Sequence, residues 1–137
     1  MSSTYEVVVA CHLRDDTPDT VLDTLRWHLG LIEGLPPGVD EEDHPYPLLE
    51  PDPHTNAPGG DFASLRQEPT RGWGLFSRNH WLDDDLGQLI TLLDLLAPHA
   101  ETPGYAGHFR ELYSATPDLT PFTFADGTYT LHTQPLT

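Results

Sequence analysis

The 137-residue chain carries 22 Asp and Glu against six Arg and no Lys, a formal net charge of -16 at pH 7. A field of that sign repels polyanions and offers no clustered bases for counterion release, which excludes nucleic acid and anionic membrane surfaces as expected partners. The length fits one domain over residues 1–137, and 37 % apolar content with 14 Pro implies a sizeable share of irregular chain.

Cys11 is the single cysteine, so no intramolecular disulfide can form. The chain opens without a basic segment, and residues 7–13 are too short and too interrupted for a membrane span. The expectation is a soluble cytoplasmic protein; the replacement of Lys by Arg suits a bacterial, GC-rich source, and the acidity suits a halophile equally.

Residues 5–14 read as a strand, with Tyr5, Val7, Val9, Cys11 and Leu13 alternating with Glu6, Val8, Ala10, His12 and Arg14. The odd residues form the apolar face. Thr17 is placed to cap a helix that has Pro18 at its first position and Asp19 in its first turn. Val21, Leu22, Leu25, Leu29 and Ile32 recur at helical spacing, and Gly30 and Gly34 mark the stop.

Residues 33–61 hold half of the 14 prolines, eight carboxylates and a closing Gly59-Gly60. Such a stretch lacks the donors and the apolar period for helix or sheet, and its composition favours a loosely ordered acidic insertion over a packed flap. Residues 61–68 and 72–82 follow as an antiparallel hairpin. A second helix begins at one of Asp83, Asp84 or Asp85 and stops before Pro98, with Leu86, Leu89, Ile90, Leu93, Leu96 and Ala97 as its stripe.

Residues 105–113 read as a strand with Tyr105, Phe109 and Tyr113 on one parity and Ala106, His108, Arg110 and Leu112 on the other. Residues 121–125 and 128–133 flank Asp126-Gly127, the dipeptide of a tight hairpin turn. The order of elements predicts an α+β fold: a ferredoxin-like βαββαβ sandwich with an antiparallel sheet, two helices on one face, a Pro-rich acidic insertion and a C-terminal β-hairpin. In element order over residues 5–112 the chain resembles small bacterial proteins of the dimeric α/β-barrel superfamily, in which two open sheet faces meet. That resemblance implies a homodimer or a pocket on the uncovered sheet face, and it carries no site residue because no family motif is matched.

The same alternations assign His12, Arg14, Arg66, His108 and Arg110 to the open face, while Arg78 and His80 share a face whose side is ambiguous because both Leu75 and Phe76 are apolar; with them on the open side, that face bears all seven basic residues. A locally basic surface of this kind can hold a carboxylate or phosphate through guanidinium contacts, with His as proton donor or acceptor. The competing reading pairs each Arg with an acid such as Glu6, Glu68 or Glu111. Asp43, His44, Asp52 and His54 lack any metal-ligand spacing, no GxSxG or phosphate loop is present, and Cys11 lies on the apolar parity, so no metal, cofactor or nucleophile is expected. Trp27 and His28 either rim a pocket or close off the end of the first helix.

Function is therefore expected to be binding of a small anionic molecule or a basic protein partner without an evident catalytic apparatus. The alternatives are an enzyme of the dimeric α/β-barrel kind acting on a small anionic, aromatic or carbonyl compound, and an acidic inhibitor or immunity-type protein.

Overall fold

The alternation that starts at Thr4 sets the centre of the molecule. In the computed structural model, which describes residues 4–55, 58–70, 72–115 and 118–133, that segment is β1 (Thr4–Leu13). It is followed by α1 (Asp19–His28), β2 (Phe62–Glu68), β3 (Gly72–Leu82), α2 (Leu86–Leu96), β4 (Gly104–Glu111), β5 (Thr120–Ala125) and β6 (Thr128–Leu131). The strands form one six-stranded sheet in the order β2-β3-β1-β4-β5-β6, with every neighbouring pair antiparallel.

Two helices and one antiparallel sheet make an α+β fold, as expected. The sheet is larger than the four strands of a ferredoxin-like sandwich, because β5 pairs with β4 instead of leaving the hairpin as an appendage. Phe122 and Phe124 are the cause: both are fully buried, and only continuation of the sheet brings them under the helices. Gly107 permits the closure. Its φ is +145°, and a Cβ there would lie 2.1 Å from the Val8 carbonyl oxygen and 2.6 Å from the Phe122 ring.

Val7, Val9 and Leu13 of β1 share one buried cluster with Val21, Leu25 and Leu29 of the first helical segment and Leu89, Leu92, Leu93 and Leu96 of α2. Both helices thus cover one face. Among the described residues no helix is long and apolar enough to cross a membrane.

Local details differ from the sequence reading. Pro18 takes the cap position of α1, while the Thr17 hydroxyl donates to the Arg14 carbonyl at 2.6 Å and closes the preceding turn instead. Asp85 caps α2 without a side-chain bond to the helix, because its carboxylate accepts the Tyr46 hydroxyl. β4 ends at Glu111, and Tyr113, with φ +63°, turns out into solvent.

The largest correction concerns residues 33–61. Leu48 and Leu49 are buried in the main core, and the backbone around them is fastened to the domain. The Leu48 N–H donates to His28 Nδ1 (3.2 Å), the Leu49 N–H to the His28 carbonyl (3.0 Å), Trp81 Nε1 to the Leu48 carbonyl (3.0 Å) and Asn79 Nδ2 to the Glu50 carbonyl (3.3 Å). Two leucines and four hydrogen bonds at one point make this stretch a packed flap. Composition averaged over the whole stretch hides so local an anchor.

His28 is the peg of that anchor. Its Nδ1 accepts from Leu48, so its Nε2 carries the proton and donates to His44 Nδ1 at 2.9 Å. Burial, reinforced by His44, pushes His28 down to about 4. Burial also lowers His44, against the pull of Asp43 and Asp40. His44 is thus turned into the protein while Asp52 and His54 stay exposed, and no cluster of three or more His, Cys, Asp or Glu among the described residues is placed to hold a metal.

Candidate functional site on the open sheet face

Residues paired directly across an antiparallel sheet lie on the same face. Glu6 pairs with His80 and Arg110, Val8 with Arg78 and His108, Ala10 with Phe76, and His12 with Gly74. On β2, Phe62 pairs with Arg78, Ser64 with Phe76 and Arg66 with Gly74. The face opposite the helices therefore gathers His12, Arg66, Arg78, His80, His108 and Arg110, six of the seven candidates.

Arg14 does not join them. β1 ends at Leu13, the Arg14 N–H bonds the His99 carbonyl at 2.9 Å, and its guanidinium pairs with Asp16 at 3.1 Å. At about 3.3 Å per residue, the eight positions from Glu6 put it ~26 Å along the strand from the level of Arg110. The expectation that all seven basic residues share the open face is thereby overturned for Arg14. The face instead has two centres at opposite ends of β1.

At the first, Glu6 is buried and accepts from Arg78 Nε at 2.7 Å and Arg110 Nε at 2.8 Å. Arg78 also donates from Nη1 to the Gly60 carbonyl at 2.8 Å, which ties the end of the flap to the face. Burial alone would raise the Glu6 carboxyl, but the hydrogen bonds and charges of Arg110 and Arg78 outweigh it and hold the group below the ordinary carboxylate range. His108 Nε2 lies 3.9 Å from Glu6 Oε1, and its Nδ1 is 2.7 Å from the Tyr105 hydroxyl. His80 Nε2 is buried and has no hydrogen-bond partner among the described residues. Arg78 and Arg110 are thus committed to Glu6, as the pairing reading anticipates.

The second centre is a concavity of about 480 Å³. His12, Ser64 and Arg66 supply polar groups, while Phe62, Phe76 and Tyr105 supply rings, with Phe62 and Phe76 in contact at 5.9 Å between centroids. Glu68 reaches across Gly74 toward His12, 3.6 Å away, and a Cβ on Gly74 would come within 2.5 Å of its carboxylate. Arg14 pairs with Asp16, Arg26 with Asp23, and Arg78 and Arg110 with Glu6. Among the described residues Arg66 is the arginine left without an acidic partner. Cys11 also lines the concavity, and burial pushes its thiol up to about 12, so it keeps its proton at neutral pH.

Strict alternation assigns Tyr105 to the helix side, and the structure does not follow it. A bulge between Tyr105 and Gly107 inserts Ala106 into the core and turns Tyr105 to the open face opposite Thr123. The glycines at 104 and 107 that flank it are the available signal, since glycine inside a strand often marks a bulge.

Compared with known protein families, curated proteins and solved structures, the chain matches none. The function must be argued from the face itself.

Proposed function

We propose that the protein binds a small anionic ligand, an aromatic carboxylate, in the concavity on the open sheet face, without a covalent step. The observation that carries this reading is Arg66: on a chain of net charge -16, it is an arginine without an acidic partner among the described residues, and it lines the concavity. A volume of about 480 Å³ lies within the ~300–1,000 Å³ of small-molecule sites. Phe62 and Phe76 offer flat apolar surface to a ring, and Arg66, with Ser64 beside it on the same strand face, offers donors to a carboxylate.

Four strands in the order β2-β3-β1-β4 with two helices on one face support a further reading, a ferredoxin-like unit extended by β5 and β6. Exposed Phe62 and Phe76 also favour a second copy closing over the face.

Titration calorimetry with 2-naphthoate and its neutral isostere 2-naphthamide tests the main reading. The acid should bind and the amide bind at least ten-fold more weakly. Arg66→Ala should cost the acid ~10-fold or more, the effect of losing a charge-assisted hydrogen bond. Equal binding of acid and amide would overturn the proposal. Native mass spectrometry reads the second: a monomer at micromolar concentration excludes closure by a second copy.

A further inference from the structure

The proton on the Tyr105 hydroxyl is already committed, and this defines the far end of the ligand. Glu6 is held ionised by Arg78 and Arg110, so its oxygens only accept. His108 Nε2 faces Glu6 Oε1 at 3.9 Å, and this field favours the imidazole tautomer with hydrogen on Nε2. Burial, against the pull of Glu6, keeps the ring neutral. Nδ1 then carries a lone pair, and the Tyr105 O–H, 2.7 Å away, donates to it. What Tyr105 leaves for the concavity is the lone pairs of its oxygen.

We propose that Tyr105, oriented by His108 and Glu6, is a hydrogen-bond acceptor in the concavity and selects aromatic carboxylates with a hydroxyl or amino donor at the end remote from the carboxylate. The inference rests on the aromatic-carboxylate reading and deepens it. Geometry sets the length of the ligand. Arg66 stands on β2 and Tyr105 on β4, with β3 and β1 between them. Three spacings of about 4.8 Å put their backbones ~14 Å apart. Both residues line the same concavity, and a two-ring scaffold covers part of that distance, the two side chains making up the rest.

The opposite tautomer would reverse the preference. With hydrogen on Nδ1, His108 would donate to Tyr105, and the tyrosine would present its own O–H to an acceptor such as an ether oxygen.

The test compares 2-naphthoate, 6-hydroxy-2-naphthoate and 6-methoxy-2-naphthoate by calorimetry at neutral pH, on the wild type and on Tyr105→Phe. In the wild type the hydroxy compound should bind about two- to twelve-fold more tightly than the parent, the span of one net hydrogen bond, and the methoxy compound no more tightly than the parent. Tyr105→Phe keeps the ring and should erase the hydroxyl preference, read as the ratio of the affinities for the hydroxy and parent compounds in that same variant. Equal affinities for hydroxy and parent compounds, a preference for the methoxy compound, or a hydroxyl preference that survives in Tyr105→Phe would each overturn the inference while leaving the carboxylate reading in place. Binding of none of the three would overturn the carboxylate reading itself, and this inference with it.

Discussion

Replacing Glu6 by Gln removes the carboxylate on which Arg78 and Arg110 converge. Each hydrogen bond to a charged group is worth ~1.5–3 kcal/mol, and breaking a fully buried ion pair costs ~3–5 kcal/mol because a bare charge is stranded. Here the two arginine side chains retain 23 % and 44 % of their exposure, so Arg110 can turn into solvent and its share must be discounted. The glutamine oxygen can still accept from one guanidinium. A loss of about 2–4 kcal/mol is expected, read as a fall in the urea midpoint at unchanged slope. The acid limb supplies an independent check. Glu6 has a folded pKa below its ordinary value of 4.5, so the folded state binds fewer protons than the unfolded chain, and its contribution is complete above that value and lost as pH falls through the folded pKa. The Gln variant should lack this part of the acid limb. A loss under about 0.5 kcal/mol in reversible denaturation would show that the hub contributes nothing, and with it would go the argument that Glu6 fixes the His108 tautomer.

Other outcomes follow from the packing and the flap. Leu93→Ala, at the centre of the core, should cost ~2–5 kcal/mol in the same denaturation assay. Gly107→Ala should destabilise by more than about 3 kcal/mol, through positive φ and overlap with the Val8 carbonyl, whereas Gly87→Ala in α2 meets nothing within 4 Å and should be neutral or stabilising by up to ~1 kcal/mol, read as a shift in thermal midpoint. His28 has an ordinary value of 6.5 and is pushed to about 4 when folded, so the folded protein binds fewer protons between these values. Its contribution is therefore full above 6.5 and declines as pH falls toward 4, by up to ~3 kcal/mol. Hydrogen exchange at Leu48 and Leu49 should accelerate over that window, and a pH-independent rate ratio to core amides of β1 would refute the peg role of His28.

Where one side of an element is apolar and the other is not, the chain specified its own structure. β1 and α2 are the clearest cases: alternation in the first and a leucine stripe in the second decide which side is buried, since any other orientation leaves those side chains in water. Alternation in β1, β2 and β4 sends His12, Arg66, His108 and Arg110 to one face, whereas β3 is apolar at both Leu75 and Phe76 and only its pairing with β1 decides the side of Arg78 and His80. Their partners along that face are a matter of register, a long-range property. That Glu6 lies level with Arg110 and His80, while Arg14 falls beyond the strand, depends on pairings between residues as far apart as Glu6 and Arg110, separated by 104 positions in the chain. The flap is tertiary in the same sense. Nothing in a run of prolines and acids distinguishes Leu48 and Leu49 until His28, Asn79 and Trp81 are placed beside them to satisfy the backbone. Tyr105 needed a single extra residue in β4 to change sides, and the stimulus for that bulge is the close approach of Gly107 to β1 and Phe122, which only the assembled sheet creates.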